Sequence, residues 1–182
     1  MSAARSFALS AIGHDRPGIV AGVSRVLLEH RLNVEDSQMT ILRGHFAMTL
    51  IVAAEESIDV GRLEEALAGV RTELALDAVS LKEVTGTAAG DEPAASHIVS
   101  VYGVDHPGIV HAVSSALAER GWTITDLTTR LVGEEREPLY AMMIEVALPP
   151  EIDVAELRAA MDAVARSEGV EVTSRALEQD AL

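Results

Sequence analysis

The chain has 182 residues, of which 48% are hydrophobic, 24% charged and only 3% aromatic, and it contains no cysteine. Its 29 acidic residues outnumber 14 basic ones, for a formal net charge of −15. The missing cysteines exclude disulfides, cysteine zinc sites and thiol catalysis; the negative charge opposes autonomous binding to nucleic-acid backbones or anionic membranes, and the few aromatics leave no stacking platform for single strands.

Residues 7–12 read as a strand ending at Gly13, followed by the turn Asp15-Arg16-Pro17-Gly18. Ile19, Val20, Val23, Val26 and Leu27 then recur at helical spacing and fill one face of a helix. Residues 33–43 and 45–54 read as a hairpin around Gly44, with Phe46, Met48, Leu50 and Val52 alternating on one side. Asp59 stands where a helix N-cap is expected, ahead of Leu63, Leu67 and Val70, and a last strand falls near residues 78–84. From Thr85 to Ser96 the chain is rich in small residues and lacks apolar periodicity, as a flexible linker does.

The same order then returns. Ile109, Val110, Val113, Ala116 and Leu117 repeat the first helix; Tyr140, Met142, Ile144 and Val146 repeat the alternating strand after a longer loop at 133–138. Asp153 repeats the N-cap, ahead of Leu157, Met161 and Val164, and a final strand falls near residues 170–176. Aligned without a gap, residues 7–36 and 97–126 share 12 identities in 30 positions. The chain is therefore read as two copies of one module, at 5–84 and 97–178, joined by a linker at 85–96. Modules of that size bury a limited core and gain stability by packing on another. The order βαββαβ is that of the ferredoxin-like α+β fold, with antiparallel sheets and the helices on one face.

The turn after each first strand carries the chemistry. Gly18 and Gly108 have no Cβ to keep a ligand away, and Pro17 and Pro107 are suited to the opening of a helix. The N–H groups at Ile19, Val20, Ile109 and Val110 lie at the positive end of a helix dipole, where a carboxylate binds. Asp15 and Asp105 stand ready for an ammonium group, so a zwitterionic α-amino acid fits the pair. The alternative is structural: Asp before Pro-Gly also serves as an N-cap, worth about 1 kcal/mol to the fold. Asn33 and Thr123, equivalent polar residues opening the second strand of each copy, either bond a ligand or cap the turn.

Asp15-Arg16-Pro17-Gly18-Ile19-Val20 followed by Asn33-Val34-Glu35-Asp36 resembles the ACT domain, a ligand-sensing module of amino-acid metabolism. Two such modules in tandem resemble the repressors of the glycine cleavage system. The resemblance spans nearly the whole chain and implies binding of a small amino acid, glycine or serine, between modules. By position it implicates Gly13, Asp15, Gly18, Ile19 and Asn33, with Gly103, Asp105, Gly108, Ile109 and Thr123 in the second copy. Serine-sensing relatives carry His where Gly13 stands and Asn where Asp15 stands, and Thr123 replaces the strand-two Asn. The resemblance also implies a homodimer, with the second strand at a sheet edge pairing with its counterpart, at residues 123–132 or in another chain. It implies a protein partner too, a transcription factor or a metabolic enzyme.

Other constellations are weaker. His14, beside Asp15, either lines the pocket or is exposed; His106 and His111 lack the spacing of a helical metal pair and read as solvated loop histidines. The acidic pairs Glu55-Glu56, Glu64-Glu65 and Glu134-Glu135 read as solvated charge. No nucleophile elbow, phosphate-binding loop or His-Glu-x-x-His motif occurs. Formyltetrahydrofolate deformylases begin with a similar segment but need a catalytic domain for which this sequence has no stretch. No apolar run approaches a membrane span, and residues 1–5 lead into a strand and not a signal peptide. The expectation is a cytoplasmic, non-enzymatic regulator with no cofactor and no metal; the alternatives are a detached regulatory subunit of an amino-acid biosynthetic enzyme and an interaction module that binds no ligand.

Overall fold

A computed structural model describes residues 5–55, 57–85, 93–132 and 139–177. Glu56, the linker stretch 86–92 and the loop 133–138 with its Glu134-Glu135 pair lie outside the described residues. The chain divides into two compact units, residues 1–89 and 90–182. In chain order the first unit holds β1 (Arg5–His14), α1 (Ile19–Glu29), β2 (Asn33–Leu42), β3 (His45–Ala54), α2 (Val60–Glu73) and β4 (Leu76–Val84). The second holds β5 (His97–Val104), α3 (Ile109–Ala118), β6 (Thr123–Val132), β7 (Leu139–Ala147), α4 (Val154–Glu168) and β8 (Glu171–Ala176).

Each unit is a four-stranded antiparallel sheet, ordered β2-β3-β1-β4 and β6-β7-β5-β8. Strand side chains alternate between faces, and only one face is packed. Phe7, Leu9 and Ala11 of β1, with Phe46, Met48, Leu50 and Val52 of β3, are buried beneath Ile19, Val23 and Leu27 of α1 and Leu63, Leu67 and Val70 of α2. Val99, Val101, Met142, Ile144 and Val146 repeat the arrangement under α3 and α4. Burial of each large apolar side chain contributes about 1.5–3 kcal/mol, and these layers hold the sheets to the helices.

Local chemistry sets the element ends. Asp59 accepts from the Arg62 N–H at 3.2 Å and Asp153 from the Ala155 N–H at 2.9 Å, so both expected N-caps form. Arg43 and Gly44, at φ 50° and 81°, form the two-residue turn between β2 and β3, whose left-handed pair matches the strand twist. Bulges at Val34/Asp36 and Ile124/Asp126 shift the register of both edge strands at the same place. The edge strands themselves are exposed along almost their whole length.

The two cores differ in polarity at one buried pair. Where the first unit has Phe7 and Leu32, the second has His97 and Trp122, and the His97 Nε2 and Trp122 Nε1 atoms are buried without a hydrogen-bond partner. His97 is 9% exposed and keeps only an Nδ1 contact to Ser96 Oγ at 3.0 Å. A buried polar atom left unpaired costs about 1–3 kcal/mol. His97→Phe, which installs the side chain that the first copy already accommodates, is expected to stabilise the second unit by about 1–2 kcal/mol. Denaturant unfolding followed through Trp122 fluorescence checks it; a loss of stability contradicts it.

Candidate functional site

α1 begins at Ile19, and its N-cap is Gly18 at φ 99°; α3 begins at Ile109 after Gly108 at φ 116°. Neither helix has a side-chain cap, so Asp15 and Asp105 do not perform the N-cap role that competed with ligand binding. Pro17 and Pro107 lie ahead of the caps, in the turn, and not inside the first helical turn as expected. The glycines are demanded by the backbone itself: a side chain at such φ costs about 1–2 kcal/mol. A Cβ on Gly18 would meet nothing within 4 Å, so the space above it is open.

The first hydrogen bond closing α1 runs from Gly22 N to Gly18 O, and that closing α3 from Ala112 N to Gly108 O, both 2.8 Å. The N–H groups of Ile19, Val20 and Ala21, and of Ile109, Val110 and His111, therefore have no carbonyl within their helix. In the first unit they border an open depression of about 520 Å³ lined by Asp15, Gly18, Ile19, Val20, Ser24, Met39 and Phe46, among others. That volume is in the range of small-molecule clefts. Another depression, of about 490 Å³, lies at the end of α2 around Ala68, Arg71 and Thr72; it has no comparable set of free amides, and Arg71 Nε already donates to Leu76 O.

Several expected residues stand elsewhere. Gly13 and Gly103 serve packing: a Cβ on Gly13 would lie 3.0 Å from Leu76 Cα, and one on Gly103 2.7 Å from Val170 Cγ1. His14 does not line the depression; its ring stacks on His45 with centroids 5.2 Å apart, and its Nδ1 lies 2.7 Å from Gly44 O. Asn33 pairs with Ala53, whereas the turn end of β1 pairs Gly13 with Phe46. Seven residues of β3 separate the two, or about 23 Å. Thr123, opposite Ala147, is equally far from Gly103, opposite Tyr140. Within a unit, then, the turn and the start of the edge strand lie at opposite ends of the sheet.

Met39 and Phe46 were not anticipated from sequence as part of the site. Both reach it because β2 and β3 carry them on the helix-covered face at the turn end. Among the described residues no group of three or more acidic or histidine side chains is placed to hold a metal, and no helix is long and apolar enough to cross a membrane.

Each turn is fastened to the far helix of its own unit by the residue before the proline. Arg16 Nη1 donates to Leu74 O, at the end of α2, at 3.3 Å. His106 is not the solvated loop histidine expected: its Nε2 is 3.0 Å from Glu168 O, at the end of α4, and its Nδ1 3.2 Å from Pro107 O. Carbonyl oxygens only accept, so both contacts are satisfied together only by the imidazolium, which has two N–H groups. These two bonds, Pro107 first and Glu168 second, raise the His106 pKa, with smaller help from the Glu168 and Asp105 charges and against a desolvation cost.

The chain belongs to the ACT-domain family, whose model matches residues 6–80 and 97–174, one module in each unit. It is 47% identical over 72 residues to a UPF0237 protein of Methanopyrus kandleri, a match covering 39% of this chain and 80% of that protein. Two solved structures share the tandem arrangement over nearly the full length. A protein of unknown function from Galdieria sulphuraria has a TM-score of 0.76 and 29% identity, covering 96% of this chain and 99% of its own. A candidate glycine cleavage system transcriptional repressor has a TM-score of 0.73 and 19% identity, covering 98% and 100%, a likeness of fold alone.

A folded-state pKa above the ordinary histidine value stabilises the fold fully below that value, and the contribution fades as pH rises through the folded pKa. The His106 resonance is therefore expected to titrate above about 6.5 in an NMR experiment. The second unit should lose stability over the same pH window, and His106→Arg, which copies the permanently charged Arg16, should remove that part of the pH dependence. A midpoint at or below the ordinary value contradicts the two-carbonyl arrangement.

Proposed function

We propose that this protein is a regulatory amino-acid sensor, akin to the repressors of the glycine cleavage system. It binds a small α-amino acid, glycine or serine, at the turn after the first strand of its modules and passes that state to a partner protein. The observation that carries the reading is the combination at one open depression of three unpaired N–H groups and the Asp15 carboxylate, 520 Å³ being ample for an amino acid. The ligand carboxylate takes the amides, favoured by the helix dipole, and its ammonium faces Asp15. Because Asn33 lies at the far end of its own sheet, it serves in this proposal a site completed by the module of a second chain in a homodimer. The partner is a transcription factor, reached through protein contacts, since a chain of net charge −15 is repelled by DNA.

A thermal-shift screen against the twenty amino acids checks the ligand, because a molecule that binds only the folded state raises its stability. Asp15→Ala is then expected to weaken binding about ten- to a hundredfold in calorimetric titration, by loss of one charge-assisted hydrogen bond. Folding should be unaffected, since the Asp15 side chain caps no helix. No thermal shift with any amino acid overturns the reading. Recovery of a biosynthetic enzyme instead of a transcription factor in a pull-down makes the protein a detached regulatory subunit.

A further inference from the structure

The two turns share a backbone but not a lining. Met39 pairs with Met48 on β3, and Thr129 pairs with Met142 on β7, the same place in each sheet. Phe46 lies opposite Gly13, and Tyr140 opposite Gly103. The positions that line the first depression with a thioether and a phenyl ring therefore carry a hydroxyl and a phenol in the second copy. Ala21, on the rim of the first depression, corresponds by position to His111 in the second copy. Ser24 and Ser114 are common to both and discriminate nothing.

The Tyr140 hydroxyl lies in the same part of the second unit: it donates to the Met142 sulfur at 3.8 Å, and burial, helped by the Asp105 charge at the turn, raises its pKa. A thioether sulfur is a weak acceptor, so the phenol keeps capacity for a better partner. Burial raises its pKa, the Thr129 contact opposing, which keeps the proton on the phenol as a donor. At the two equivalent positions the first depression has no such group: Phe46 is 2% exposed and Met39 half-exposed.

We infer that the two copies have diverged in ligand. The turn of the second selects an amino acid with a side-chain hydroxyl, received by Thr129 and Tyr140. The turn of the first selects one with a small apolar side chain, against Met39 and Phe46. This rests on the amino-acid reading above. The physical reason is an asymmetry: a site that bonds a hydroxyl strongly rejects the analogue lacking it, because its own polar groups are then left unpaired. An apolar wall discriminates the other way, by desolvating a hydroxyl without replacing its bonds.

L-Serine and L-alanine, which differ by that one oxygen, are the probes, titrated calorimetrically into the full chain. Wild type is expected to bind both, each at its own site. Thr129→Val with Tyr140→Phe should weaken serine at least tenfold and leave alanine unchanged; Tyr140→Phe copies the first unit, and Thr129→Val alone, on an exposed strand, is the second variant. Met39→Thr should in turn weaken alanine or admit serine at the first turn. Asp105→Ala should remove serine only, and Asp15→Ala alanine only. If these Asp variants abolish binding while the lining variants leave the serine-to-alanine preference untouched, the divergence is overturned and the sensor reading stands. If wild type binds neither these nor any other amino acid, both fall together.

Discussion

At the end of each central strand the backbone passes too close to its neighbour for any side chain. A Cβ on Gly103 would lie 2.7 Å from Val170, and one on Gly13 would press on the Leu76 backbone. That approach lets the fourth strand of each unit pair with the central one as far as Gly13 in the first unit and Tyr102 in the second. It also brings the second helix's C-terminal end beside the turn, within reach of Arg16 or His106. The left-handed glycine that follows then starts the first helix with its amides facing outward. The N–H groups are free because they open a helix, and the close approach beneath them fixes where that opening stands.

Duplication leaves the two units free to drift wherever the backbone does not need a particular side chain. The glycines at the close approach and at the left-handed turn are the same in both. The fastening residue is not: a guanidinium is charged at every working pH, whereas His106 makes both of its carbonyl contacts only when protonated. The core differs as well, with His97 and Trp122 carrying buried unpaired nitrogen where Phe7 and Leu32 carry none. One backbone therefore supports a unit with an apolar core and another whose core and turn both contain titratable or polar groups.

The edge strands are where a module of this kind is unfinished. β2 and β6 expose their whole length, including Met39, Ile41, Leu127 and Leu131, and their outer N–H and C=O groups have no neighbour within the sheet. A strand so placed invites pairing with another strand.

Much was legible in the sequence because it rests on local chemistry. Duplication, element order and the Asp59 and Asp153 caps follow from spacing, since helix and strand periods and capping bonds involve neighbours a few residues apart. The turn at Asp15 to Val20 was legible for the same reason. What the sequence could not assign is whatever depends on register between distant strands. Met39 and Phe46 join the turn, and Asn33 leaves it by about 23 Å, only because β2 and β3 pair as they do. His106 is bonded to a carbonyl because α4 ends beside it, 62 residues along the chain. The need for glycine at position 13 likewise depends on pairing, because the Leu76 backbone of the fourth strand lies against it. By itself the sequence determined the modules and their turns; only the tertiary structure decided which side chains surround a turn, because residues far apart in the chain meet there through strand pairing and helix packing.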